Sequence, residues 1–162
     1  YGSSAVAEEK GDVVNIIPPQ KAGKIALDAG LADDKGWCPI DVMTFESRLH
    51  KDIHVIGDAA AAPELPKSGY CASSQAKVAA QAIIDVLNGR QPGTPSILNT
   101  CYSMVGKDYG ISVSAVYRPH TGVNKWVGKP EVTPKDASAA DLKREVMYGH
   151  SWFRSVTHDM FG

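Results

Sequence analysis

Gly57 and Asp58 close the apolar segment Ile53–Asp58 (IHVIGD), and Lys67, Ser68, Gly69 and Tyr70 follow just ahead of an Ala-rich run. Glycine lets a ligand approach the backbone where any Cβ would collide. A carboxylate at the carboxyl end of a strand lies where open α/β sheets bind ligands, and it can accept a hydrogen bond from a ligand hydroxyl. The unpaired N–H groups and positive dipole end of a helix start suit an electron-rich ring edge. In that order along the chain, these features fit FAD. Gly57 and Asp58 would hold the ribityl chain, and the amides of Ser68 to Ala72 would meet the ring edge where negative charge accumulates on reduction. Lys67 adds a positive charge and Tyr70 an aromatic face for stacking. An isolated Gly-Asp also serves ordinary turns, and a core helix capped by Ser73 and Ser74 would explain the second half alone. The ordered pair of features therefore carries the reading.

Three thiols are the other chemical candidates, Cys38, Cys71 and Cys101. They include no CxxC and no His at a matching interval, so no metal site is expected. The odd number leaves at least one thiol unpaired within the chain. A reactive thiolate needs access and a lowered pKa. Cys101, in LNTCYSM, is flanked by polar residues and meets the first condition best. Cys71 opens the Ala-rich helix and is expected to pack under the preceding loop. Cys38, between Trp37 and Pro39, reads as structural, and His50 and His54 as satisfied core or surface side chains.

The elements that must position these residues are partly visible. Val13–Ile17 and Ile53–Asp58 read as buried strands, Met43–Phe45 as the lead-in to the second, and Lys24–Leu31 as a short helix or turn closed by Gly30. Ser73–Leu87 reads as a well-buried helix ended by Asn88 and Gly89. The segment 91–95 (QPGTP) is a turn-rich boundary. Beyond it, residues 111–117 alternate as a half-buried strand, Gly122 and Asn124 turn, and residues 125–127 pair back as a hairpin. Residues 141–150 read as a short helix capped by Ser138, followed by an aromatic tail that docks rather than dangles.

At 162 residues and 43% hydrophobic, the chain can bury one ordinary core but cannot hold two large dinucleotide-binding domains. A net charge of −1 provides no field for nucleic acid. Residues 1–99 carry 9 basic and 12 acidic side chains and residues 100–162 carry 8 and 6, an asymmetry too mild to name a partner. No apolar run approaches the ~20 residues of a membrane span, and the first twelve residues lack a signal-peptide pattern.

GWCPID, TFESRLHKDIHVIGDAA, LPKSGYCASSQAKVAAQAI and LNTCYSMVGKDYGISVSAVYR together resemble the C-terminal part of the flavoprotein subunit of flavocytochrome c sulfide dehydrogenase, a relative of sulfide:quinone reductase. The resemblance implies an α/β fold. Residues 1–20 would leave an inserted dinucleotide-type domain, 21–95 would form the returning part of a Rossmann-like FAD-binding domain, and 96–162 an α+β C-terminal domain with a short antiparallel sheet that covers the flavin. It also implies sulfide as substrate, FAD as cofactor, a c-type cytochrome partner carrying haem c, and a periplasmic location. A redox-active cysteine pair would include Cys101, whose partner is absent here, and Trp152 would lie near the flavin if the tail folds back. No GxGxxG follows an N-terminal strand, so the phosphate and adenine site is expected in a remaining N-terminal part of the flavoprotein, and this piece alone is expected to be inactive. Two rivals stay open: another FAD-dependent disulfide or NADH oxidoreductase, and a cytochrome-docking module without chemistry.

Overall fold

A computed structural model of the chain describes residues 8–162. The first seven residues of the expected 1–20 segment lie outside them. The helices are α1 (Lys24–Asp28), α2 (Gly69–Leu87) and α3 (Ala139–Phe161). The strands are β1 (Ile97–Gly106), β2 (Tyr109–His120), β3 (Lys125–Gly128) and β4 (Glu131–Val132).

Helix α2 starts four residues ahead of the expected Ser73. Ser68 is its cap: its backbone is extended, and its Oγ accepts the Cys71 N–H at 3.1 Å. The hydroxyl satisfies a first-turn donor that would otherwise have no intrahelical partner, so Ser73 and Ser74 sit inside the helix. Cys71, Gln75, Ala79 and Ala82 form its buried stripe at helical spacing. The helix ends at Asn88 with Gly89 at φ +68°, where the sequence placed its stop.

The sheet is antiparallel throughout, with β2 between β1 on one side and β3 and β4 on the other. The expected hairpin forms: Thr121–Val123 turns, Asn124 adopts φ +48°, and Lys125 pairs with His120. Strand β1 has no counterpart in the sequence reading. Its alternate residues Ile97, Asn99, Cys101 and Ser103 carry no apolar–polar contrast, so periodicity does not reveal it.

Helix α2 covers the sheet face that buries Ile97, Ala115 and Tyr117, in one core with Phe45 and Trp126. The Phe45 and Trp126 rings stack at 5.7 Å. Helix α3 crosses the other face at the β1–β2 hairpin end, where a Cβ on Gly110 would stand 2.9 Å from the Val146 backbone nitrogen. The cap of α3 is a reciprocal box between Ser138 and Asp141. The helix runs on through the aromatic tail for 23 residues, well past the short helix expected at 141–150.

Two expected strands do not form. Val13–Ile17 lies outside any regular element, with Val13 92% and Ile17 79% exposed. Ile53–Asp58 is extended, but its only pairing is an isolated antiparallel bridge from His54 to Glu46, and Phe45 takes φ +60° instead of leading into a strand. A buried parallel strand needs neighbours on both edges. The one parallel pairing among the described residues is the isolated bridge from Cys38 to Ala60. The architecture described is therefore α+β, helices on a small antiparallel sheet. Among the described residues no helix is long and apolar enough to cross a membrane.

Candidate functional site

Gly57 opens a short 3-10 turn, Gly57–Ala59, rather than ending a strand. Its φ of +71° is one that side chains rarely adopt, so the backbone itself requires glycine. A Cβ there would meet the Ala72 Cβ at an ordinary 3.6 Å. The Gly57 N–H is already taken, donating to Oε1 of the buried Gln75 at 2.6 Å. Asp58 points to solvent, and its carboxylate has no side-chain hydrogen bond among the described residues. Lys67 closes the loop over it: its ammonium donates to the Asp58 carbonyl and lies 3.9 Å from the centre of the Trp37 ring. Partial burial holds the Lys67 pKa below the usual lysine range, with Asp58 pulling the other way.

Of the five amides expected at the ring edge, two are engaged within the helix start. The Cys71 N–H goes to Ser68 Oγ and the Ala72 N–H to the Ser68 carbonyl at 2.9 Å. Among the described residues, the Gly69 and Tyr70 N–H groups keep no partner. Ala72 thus contributes its methyl group beneath Gly57 rather than a free donor.

Gly69 and Tyr70 share a groove with Cys101. A groove of about 590 Å³ runs along the unpaired edge of β1, lined by Ser68, Gly69, Tyr70, Cys101, Trp152 and Phe153 among others. Cys101 is exposed and pairs across the sheet with the exposed Val113. Trp152 stacks on Tyr70 at 5.1 Å, and its ring lies 4.0 Å from where a Gly69 Cβ would stand. The structure thus brings Ser68, Gly69, Tyr70, Cys101 and Trp152 together, with Gly57, Asp58, Lys67 and Ala72 adjoining them around the start of α2.

The other two thiols are fully buried. Burial pushes the Cys38 thiol up, with Asp33 adding to it. Burial likewise raises Cys71; the hydrogen bond from Gln75 at 3.3 Å opposes this, while Cys101 and Asp58 add to it. The neutral, inert form is favoured at both. Cys71 therefore packs under the loop, and the helix dipole does not activate it.

Two residues of the site escaped the sequence reading, Gln75 and Asn99, both buried polar side chains. Gln75 stands four residues after Cys71 on an otherwise apolar stripe, a spacing that marks it as facing inward. Asn99 stands two before Cys101 and shares its strand face, but its burial depends on α2 and has no local signal.

The domain is α+β, with a thiol, a pair of aromatic rings and a capped helix start around one groove, and its residues 93–161 match a family model for flavin binding. The model matched is that of flavocytochrome c sulphide dehydrogenase, flavin-binding. The matched segment spans all four strands and α3, including Cys101 and Trp152. Gly57 to Ala72 precede it.

Proposed function

We propose that this chain forms one half of the flavin site in a sulfide:cytochrome c oxidoreductase, the remaining N-terminal part of the flavoprotein completing it and a c-type cytochrome accepting the electrons. In that reading residues 21–95 are the returning part of a Rossmann-like FAD-binding domain, and residues 96–162 cover the flavin. The location would be periplasmic. The observation that carries the reading is the shared groove, which Gly69 and Tyr70 at the start of α2 line together with the exposed Cys101.

The residues present suit FAD. The turn at Gly57 carries no side chain, the adjoining Asp58 carboxylate has no partner among the described residues, and two N–H donors stand at a positive helix end. Bound FAD supplies a two-electron acceptor that can release electrons singly to haem. The chain does the rest. Asp58 accepts a hydrogen bond from a ribityl hydroxyl, and the Gly69 and Tyr70 N–H groups donate to the ring edge that gains charge on reduction. Lys67 holds the loop and adds positive charge beside it. Tyr70 and Trp152 wall the groove against water.

Cys101 is the redox thiol, paired as a disulfide with a cysteine of the N-terminal part. Hydrosulfide opens that bond: one sulfur–sulfur bond forms between HS⁻ and a cysteine as the cysteine–cysteine bond breaks, and the other cysteine leaves as a thiolate. The test of the cofactor half is Asp58→Ala in the complete flavoprotein. FAD retained after gel filtration, read from the flavin absorption band, should fall with an affinity loss of about tenfold. Retention equal to the unaltered protein would remove Asp58 from the site.

A further inference from the structure

Asn99 is 2% exposed, and its side-chain polar atoms are engaged with Ser68 and Cys101. The Cys71 backbone N–H can only donate, and it donates to Ser68 Oγ at 3.1 Å. The Ser68 hydroxyl proton is then free to point elsewhere, and the hydroxyl donates to Asn99 Oδ1 at 2.6 Å. With the Asn99 carbonyl oxygen on Ser68, Nδ2 donates to Cys101 Sγ at 3.3 Å, the shorter of two contacts between these side chains; in the other the thiol reaches Oδ1 at 3.9 Å. The polarity of the relay therefore starts at a backbone donor in α2 and ends with an N–H on sulfur.

From this geometry we propose that Asn99 is a positioning residue for Cys101, stabilising negative charge on its sulfur through its Nδ2 donor while Ser68 holds its carbonyl oxygen. The proposal rests on the reading of Cys101 as the redox thiol. A donor aimed at the sulfur favours the thiolate over the thiol, and it favours Cys101 as the cysteine that leaves when a disulfide opens. The cost of burying a polar amide beside β1 then has a chemical return. The same relay joins the cap of α2 to the thiol, so that the Gly69 and Tyr70 amides and the sulfur are held by one network.

The test is alkylation of Cys101 by iodoacetamide in the full chain, followed by peptide mass, because the buried Cys38 and Cys71 stay protected in the folded state. Asn99→Asp keeps the shape and the acceptor for Ser68 but replaces the N–H with an anionic oxygen. Its Cys101 should react about tenfold more slowly at neutral pH, and the difference should close at strongly alkaline pH, where the thiolate forms regardless. Ser68→Ala, which removes both the cap and the donor to Asn99 Oδ1, should slow Cys101 severalfold with the same pH dependence, and Ser68→Thr should restore the rate. Equal rates in Ser68→Ala and the unaltered chain, or a difference independent of pH, would overturn the proposal. Sulfide turnover is not read here, so a failed redox role for Cys101 would show separately, in the activity of Cys101→Ser.

Discussion

The Tyr70 ring, in the first turn of α2, stacks on Trp152 of α3 with centroids 5.1 Å apart and planes 17° from parallel. The contact joins the helix that carries the free amides to the helix that closes the family-matched segment. One exposed ion pair, Lys77 with Asp159 at 3.4 Å, joins the same helices further along. Stacked aromatic pairs contribute about 0.5–1.5 kcal/mol beyond their buried area, and exposed ion pairs about 0–1. Trp152→Ala is therefore expected to lower the thermal midpoint by roughly 5 °C. Trp152→Phe should keep most of the stability, and Lys77→Ala should barely register.

The closest approach of α3 to the sheet is set by Gly110. A Cβ there would meet the Val146 nitrogen at 2.9 Å and the Glu145 carbonyl carbon at 3.2 Å, both backbone atoms. Backbone cannot rotate away as a side-chain tip can, so α3 would have to shift. Gly110→Ala is expected to cost about 1–3 kcal/mol in chemical denaturation, with a weaker Tyr70–Trp152 contact read from tryptophan fluorescence.

Gln75 holds the Gly57 turn from inside, its Oε1 accepting the Gly57 N–H. Gln75→Leu fills similar space but leaves that N–H facing an apolar group. The expected loss is about 1–3 kcal/mol, measured by denaturant unfolding. The same substitution removes the hydrogen bond that opposes the raised pKa of Cys71, so Cys71 should become still less reactive.

The raised thiols and phenols give the pH dependence a definite sign. Cys38, Cys71, Tyr102 and Tyr117 all hold their protons more tightly when folded, mainly through burial. Below the unfolded pKa values both states are protonated and nothing is lost. Above about pH 8.5 for cysteine and about 10 for tyrosine, the unfolded chain releases protons that the folded chain keeps. Stability must then fall as pH rises. Lys67, lowered by burial, acts in the opposite sense but is one group against four. Melting midpoints are expected to drop between about pH 8 and pH 11, and Cys71→Ala should flatten the first part of that drop.

Much of the fold is written locally. The end of α2 at Asn88 and Gly89, the turn at Asn124 and the Ser138 cap each depend on a few adjacent residues, and each is legible in the sequence. The strand expected at Ile53–Asp58 failed because pairing is not local: among the described residues it finds a partner only at His54. Gly57 instead opens a 3-10 turn, and Lys67 lies in the loop ahead of α2. Cys101 stood out through its polar neighbours, whereas Asn99 owes its burial and its partner to Ser68, 31 residues earlier, a contact no spacing rule supplies. The length of α3 was hidden by a tail rich in His, Ser and aromatics, which reads as irregular until its cap and its packing on β2 are seen.

The central claim is that Cys101 carries the redox chemistry beside the flavin. Its most direct measurement is sulfide-dependent reduction of cytochrome c by the complete flavoprotein bearing Cys101→Ser, with FAD content checked by its absorption band. Loss of a nucleophilic group costs orders of magnitude in rate, so turnover is expected to fall by about 10³-fold or more while FAD stays bound. Turnover at the unaltered rate, with FAD retained, would contradict the account.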